Sequence, residues 1–334
     1  MKRMDIIVPV ASFEPISVVR KSFDCISCLE NGGMDVRVVY VLDTHGENDD
    51  RLEFLRGMPV TVIARTDNRG RRAGAINDAL DVCKSEGEPD YVALFDVDSR
   101  PDWNFLVACV DRLQNRCAKN VIIASGARFI TNEDENIVTK TVAAEYCFFS
   151  DVYRLFERFG GFNQFNGMIG VLDIRLMRGQ LGRLDESVSC EDLEFTQKAY
   201  LEGFAGGFTA YTMVGEQAPT SIRDLFNQRV RWLSGGYQGL RTHTASFVAS
   251  GIPVSSKLAW FLSLSLPFVA FLATPAVLLY GVRLCGKHGF RDAAIMTLGL
   301  IGHVWLITLC GAVVLAKQVF GGHVEWKESG RSDV

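Results

Sequence analysis

Two aspartates two positions apart, Asp96 and Asp98, follow the apolar run Tyr91 to Phe95 and precede Ser99, Arg100 and Pro101. In an extended segment such residues point the same way, so both carboxylates can face one cation. Paired hard oxygens suit Mg²⁺ or Mn²⁺. A cation there would stabilise the charge that gathers on a nucleoside diphosphate as it leaves. A solvated acidic turn is the competing account. The place at a strand's carboxyl end favours chemistry, because ligands of open α/β sheets gather there.

Other polar groups also fall at strand or helix ends. Asp43 closes the apolar run Val38 to Leu42 and can accept hydrogen bonds from a base or ribose, or simply form a turn. A basic, glycine-containing loop from Arg65 to Arg72 enters a helix through Ala73, Gly74, Ala75, Ile76 and Asn77; guanidinium forks and helix amides suit a diphosphate. Glu191 and Asp192 open a helix running through Leu193 and Tyr200. Ser189 to Asp192 is close to a capping box, so helix-end stabilisation competes there with a general base that takes a proton from an acceptor hydroxyl. Gln228, Arg231 and Trp232 share one face of a helix-like stretch, Ile222 to Leu240, where Arg231 can hold phosphate and Trp232 can stack on a sugar. A helix lying on a membrane surface is a compatible account of that stretch.

The elements that must hold these residues are legible in part. Five runs, Asp5 to Val10, Val36 to Leu42, Val60 to Ala64, Tyr91 to Phe95 and Val121 to Gly126, alternate with helix-like segments. This predicts a mostly parallel α/β sheet with both faces covered. Two apolar stretches of about 25 residues, Leu258 to Val282 and Ala293 to Ala316, are each enough for a ~30 Å hydrocarbon layer. The expected organisation is a catalytic domain over residues 1–240, an interfacial linker over 241–257, two transmembrane helices within 258–317 and a cytoplasmic tail over 318–334. The connector charges Arg283, Lys287 and Arg291 fit poorly with an external loop, so a shallow hairpin is the alternative.

A net charge of −4 argues against a general nucleic-acid partner. Nine scattered cysteines and no secretory signal predict a reducing, cytoplasmic setting for the catalytic domain of a multi-pass membrane protein. Cys25 and Cys28 form C-x-x-C at the end of a predicted helix, where the dipole disfavours a thiolate. The first strand leads into Ala11 to Pro15 without G-x-G-x-x-G, which argues against a dinucleotide oxidoreductase.

Taken in order, these motifs resemble the family 2 glycosyltransferases of the D, D-x-D, D, Q-x-x-R-W pattern, which include cellulose, chitin and hyaluronan synthases and ceramide glucosyltransferase. The resemblance covers about residues 4 to 240. Arg72-Ala-Gly-Ala-Ile-Asn77 is similar to the family's K-A-G-A-L-N, and Phe165-Asn166-Gly167 resembles a short loop near the acceptor. Trp326 to Arg331 faintly resembles a W-x-x-T-x-R motif. The resemblance implies a GT-A fold, with Asp43, Arg72, Asn77, Asp96, Gln228 and Arg231 toward a nucleotide-sugar donor and Asp96 and Asp98 on Mn²⁺ or Mg²⁺. It implies Asp192 as general base, and Phe165, Asn166, Gly167, Glu191 and Trp232 toward the acceptor. Arg72 in place of Lys, and Cys190 where Thr is usual, are departures that remove no charge. Two membrane segments are too few for an enclosed polymer channel, so transfer onto a lipid-linked or membrane-associated acceptor is expected. A processive synthase working as a homo-oligomer or with partners is the alternative. A scaffold without activity is a third reading, which the retained carboxylates disfavour.

Overall fold

In the computed structural model, residues 1–46, 48–115, 120–177 and 181–321 are described. The motif at Trp326 to Arg331 and most of the expected tail lie outside them. The strands are β1 (Arg3–Val10), β2 (Asp35–Asp43), β3 (Thr61–Arg65), β4 (Tyr91–Leu94), β5 (Arg100–Pro101), β6 (Val121–Ile130), β7 (Gly170–Asp173) and β8 (Ala205–Glu216). The helices are α1 (Ile16–Ser27), α2 (Asp50–Arg56), α3 (Arg71–Ser85), α4 (Phe105–Gln114), α5 (Ile137–Phe159), α6 (Ile174–Met177) and α7 (Glu191–Leu201), then α8 (Ile222–Ala249), α9 (Val254–Ser265), α10 (Thr274–His288) and α11 (Phe290–Val319).

One sheet of order β3-β2-β1-β4-β7-β6-β8-β5 carries the fold. β1 to β4 pair in parallel, while β7 runs antiparallel to β4 and β6. The buried runs of β1, β2 and β4 lack strand-like alternation because helices cover both faces. Val8, Tyr40, Phe95 and Phe105 belong to the core on one side; Ile7, Val41, Ile76 and Phe195 belong to the other. α1 ends at Ser27 with Cys28 as its C-cap, and burial pushes the Cys25 thiol up, away from an activated thiolate.

The chain divides into two compact units, Met1–Ala127 with Phe162–Gly215, and Arg128–Gly161 with Glu216–Val334. The expected boundary at residue 240 falls inside α8, which continues to Ala249. α5 belongs to the second unit although it precedes β7 in sequence, because its Val142 and Ala143 pack with Ala218 and Leu225, and its Ala144 with Leu284 and Met296.

Two stretches in the second unit, Val254–His288 and Phe290–Val319, are long and apolar enough to cross a membrane. Only 6% of the most apolar window of the first is buried, and 33% of the second, whereas a soluble core helix hides most of its length. The first stretch is not one straight helix. After α9 the chain tightens into a 3₁₀ segment, Leu266–Ala273, containing Pro267 and a non-helical Val269. The N–H of Phe271 in this break donates to Thr308 Oγ1 of α11 at 3.0 Å. Gly289 alone separates α10 from α11, so Arg283, Lys287 and Arg291 lie in helices, not in an open connector. At Gly281 an added Cβ would meet Thr297 Oγ1 at 2.5 Å, the close approach of backbones that small residues allow between helices.

Candidate active site

β2 ends on Asp43, whose carboxylate lies 3.4 Å from Arg65 Nε at the end of β3. Burial raises the Asp43 pKa and Arg65 draws it down. Arg65 is itself buried and donates to the carbonyls of Arg69 and Arg71, so the basic loop is folded around it. Arg69 pairs with Asp78 and Glu186. Arg65 and Arg69 therefore shape the loop.

Gly74 explains why this loop can lie so close to α3. A Cβ at that position would meet the carbonyl oxygen of Arg69 at 1.9 Å, a backbone atom with little room to yield. Gly74→Ala is expected to destabilise the fold by about 1–3 kcal/mol through overpacking, read as a lowered midpoint in thermal unfolding. An unchanged midpoint would show that the loop shifts freely.

Arg72, two residues earlier on α3, faces the other way. Its Nε donates to Asp96 Oδ1 at 2.7 Å, Nη1 to Glu191 Oε1 at 3.1 Å, and Nη2 to the Gly167 carbonyl. The N–H of Gly167 in turn donates to Asp192 Oδ2 at 2.5 Å, and Asp192 Oδ1 accepts from its neighbour Leu193 N at 2.8 Å. Four segments distant in sequence thus meet at one guanidinium and at the backbone of one residue, Gly167. Gly167 has φ 57° and Met168 φ 52°, a left-handed pair; the Gly167 carbonyl, in the peptide shared with Met168, meets Arg72, while the Gly167 N–H, in the peptide shared with Asn166, meets Asp192.

Burial raises the Arg72 guanidinium's cost of being charged, but Asp96 and Glu191 outweigh that and hold it firmly protonated. Burial is the largest influence on Asp192 and pushes its pKa up, with Glu191 adding repulsion; the N–H groups of Gly167 and Leu193, and Arg72, pull against them without cancelling them. The N-cap of α7 is Cys190, whose side chain makes no cap bond, and Glu191, Asp192 and Glu194 stand in its first turn.

Asp96 and Asp98 do not lie in an extended segment, as the spacing suggested. They flank the buried Val97 in a turn closed by Ser99 N donating to Asp96 O at 2.9 Å and by Asp96 N donating to Ser99 Oγ at 3.0 Å. Asp96 and Asp98 are both half-buried, on either side in sequence of the buried Val97. Among the described residues no group of three His, Cys, Asp or Glu forms a ready metal cage. Two carboxylates fit a Mg²⁺- or Mn²⁺-type ion that completes its shell with phosphate oxygens and water.

Two expected contacts are corrected. Asn77 is 1% exposed, and its amide exchanges hydrogen bonds with the Leu184 backbone while donating to Glu186 Oε1 at 2.9 Å. It secures the 184–186 segment and presents nothing to a donor. Phe165 is buried in the core with Met168 and Phe195, so its ring does not reach an acceptor. Asn166 remains half-buried beside Gly167.

In the second unit Gln228, Arg231 and Trp232 all lie on α8, half-buried and one turn apart, as the motif spacing predicts. Motif reading passed over Arg229 between them. It is buried, donates to Gln228 Oε1 at 2.9 Å and lies over the Trp232 ring with Cζ 4.2 Å from its centre. A cation three residues before an aromatic on a helix was the available signal.

Comparison with known proteins bears on this geometry. The chain is 24% identical over 185 residues to a probable glucomannan 4-beta-mannosyltransferase 7 of Oryza sativa subsp. japonica, covering 54% of this chain and 30% of that protein. It is 25% identical over 307 residues to a UDP-forming cellulose synthase catalytic subunit of Pseudomonas fluorescens (strain SBW25), covering 89% and 40%. The chain thus spans well under half of these relatives. Among solved structures it resembles the mannosyltransferase PcManGT from Pyrobaculum calidifontis, in complex with GDP-Man and Mn²⁺, with TM-score 0.58, 18% identity and coverage of 96% and 88%. It also resembles residues 1–349 of S. aureus TarS, with TM-score 0.53, 13% identity and coverage of 97% and 94%. These likenesses establish a GT-A fold. The family model described as Glycosyl transferase family group 2 matches residues 91–315, from the strand before Asp96 through α8 and nearly to the end of α11, and the chain therefore belongs to that family.

Proposed function

We propose that this chain is an inverting, metal-dependent glycosyltransferase that moves a sugar from a UDP- or GDP-sugar onto a lipid-linked or membrane-associated acceptor, with Asp192 as general base. The observation that carries the reading is the convergence of Asp96, Glu191 and the Gly167 carbonyl on Arg72, with Asp192 accepting from the N–H of the same Gly167. Asp192 takes the proton of the acceptor hydroxyl, whose oxygen attacks the anomeric carbon from the face opposite the diphosphate. The bond to the diphosphate oxygen breaks, its electron pair leaves with the nucleoside diphosphate, and a β-linked product forms from an α-linked donor. A raised Asp192 pKa makes its carboxylate a stronger base than an exposed aspartate. A divalent cation held by Asp96 and Asp98 supplies charge neutralisation on the leaving diphosphate. Asp43 is the group for the base or ribose, and Gln228, Arg231 and Trp232 serve the diphosphate and acceptor. The GDP-Man and Mn²⁺ of the mannosyltransferase, and the 4-beta linkage in the rice relative's name, support the donor class and product.

The sparsely buried apolar stretches support a membrane protein, and a cytoplasmic catalytic domain belongs to the same reading. With two such stretches among the described residues, and the first broken at Pro267, transfer of one or a few sugars is favoured over processive synthesis.

The test is nucleoside diphosphate release from a panel of UDP- and GDP-sugars with Mn²⁺, using protein in native-lipid membranes. Release from one donor, abolished by a chelator and restored by Mn²⁺, is the expected outcome. Chelator-resistant release would overturn metal dependence, and a chain that neither binds nor cleaves any donor would overturn the enzyme.

A further inference from the structure

Arg229 occupies a place that the Q-x-x-R-W motif leaves open, yet it touches both ends of what the motif specifies: Nη1 bonds Gln228 Oε1 at 2.9 Å and the guanidinium lies over Trp232. Its Nη2 donates to Glu145 Oε2 on α5. The other carboxylate oxygen, Glu145 Oε1, is 3.0 Å from His303 Nε2 on α11. All three side chains are more than nine-tenths buried. Burying such a pair carries a desolvation penalty that a well-packed apolar pair avoids, so it is weak evidence for stability and points to a demand for a particular geometry. A histidine inside an otherwise apolar helix, facing a carboxylate, points the same way.

We propose that Arg229 is a positioning residue for Gln228 and Trp232, and that Glu145 and His303 set it, so that the seating of α11 is transmitted to the indole of Trp232. The planar fork matters as much as the charge. It meets a carboxylate, an amide oxygen and a ring at once, which an ammonium on a flexible stem does not. The acceptor consequence rests on the assignment of Trp232 to the acceptor; the positioning itself does not.

The test uses the full chain labelled with 5-fluorotryptophan, with the Trp232 resonance assigned by Trp232→Phe. In Arg229→Lys, which keeps the charge, and in Glu145→Gln and His303→Gln, the Trp232 line is expected to shift and broaden. The line of Trp260, buried in the second unit and stacked on Phe247, is expected to stay and so report an intact fold. In transfer assays Arg229→Lys is expected to raise the acceptor KM about tenfold, the scale of a partly desolvated cation–π contact, with kcat nearly unchanged. It should add nothing further in a Trp232→Ala background. An unmoved Trp232 line in Arg229→Lys and Glu145→Gln overturns the proposal, as does a full additional KM effect in the Trp232→Ala background. If Glu145→Gln unfolds and all lines collapse together, Arg229→Lys decides. If the wild-type chain transfers from no donor, the functional reading falls and the fluorine spectra still decide the positioning.

Discussion

Asp192→Asn is expected to bind donor normally and to lose transfer by about 100- to 10,000-fold, the usual contribution of a placed general base. The amide keeps the shape and can still accept from Gly167 N, but it cannot take a proton. The same assignment predicts a pH profile. A base works deprotonated, and the Asp192 pKa lies above the ordinary 3.8. Activity is therefore fully present above the raised pKa and falls as pH drops through it, so the acid limb of kcat/KM sits higher than an exposed aspartate would place it. Initial rates over about pH 4 to 8 read this limb directly. Near-normal turnover in Asp192→Asn, or an acid limb at the ordinary aspartate value, would remove Asp192 from the mechanism.

Arg72→Ala is expected to be nearly as damaging for a different reason. It removes the one cation on which Asp96, Glu191 and the Gly167 carbonyl meet, and leaves Glu191 beside Asp192 with no neutralising charge from Arg72. Transfer should fall at least about 100-fold, the scale seen when a preorganised electrostatic group is lost. The acid limb should move upward, because Arg72 is one of the influences that hold the Asp192 pKa down. The fold should lose only about 1 kcal/mol, since Arg72 and Asp96 retain a quarter to a third of their exposure and water screens the pair. Arg72→Lys keeps the charge, matches the Lys of the K-A-G-A-L-N pattern and should restore much of the rate with weaker hold on Gly167. Wild-type rate and an unmoved limb in Arg72→Ala would show that the convergence on this guanidinium is incidental.

Much of the first unit was legible because its information is local. Four of the five predicted runs lie within two residues of β1 to β4, and the fifth starts β6 correctly but stops four residues short of its end. Each is a mostly apolar run without alternation, of the kind a doubly covered sheet produces. β7 is four residues beginning at Gly170, β5 is two residues, and β8 opens on Ala205, Gly206 and Gly207; none has a periodic signature. Asp96 and Asp192 were readable from chain position, whereas the bonds of Arg72 to Asp96 and to Glu191 span 24 and 119 residues, and Asp192 is tied in through Gly167 at a left-handed turn. Asn77 and Phe165 misled for a common reason. A motif marks a residue as constrained without saying whether a ligand or the core constrains it, and here an amide clip and a packed ring account for the constraint. Glu145 and Arg229 are 84 residues apart, and nothing in either neighbourhood announces the other.

The break at Pro267 has an implication for how this chain can change over generations. Within an apolar layer no solvent is at hand for a backbone N–H released from a helix, and Phe271 N is met by the hydroxyl of Thr308. The residues of the break and position 308 therefore form a heritable pair: descendants can trade Thr308 for serine and keep the bent path, or straighten the segment and release 308. A lineage that replaces Thr308 with valine while retaining Pro267 must find another acceptor nearby.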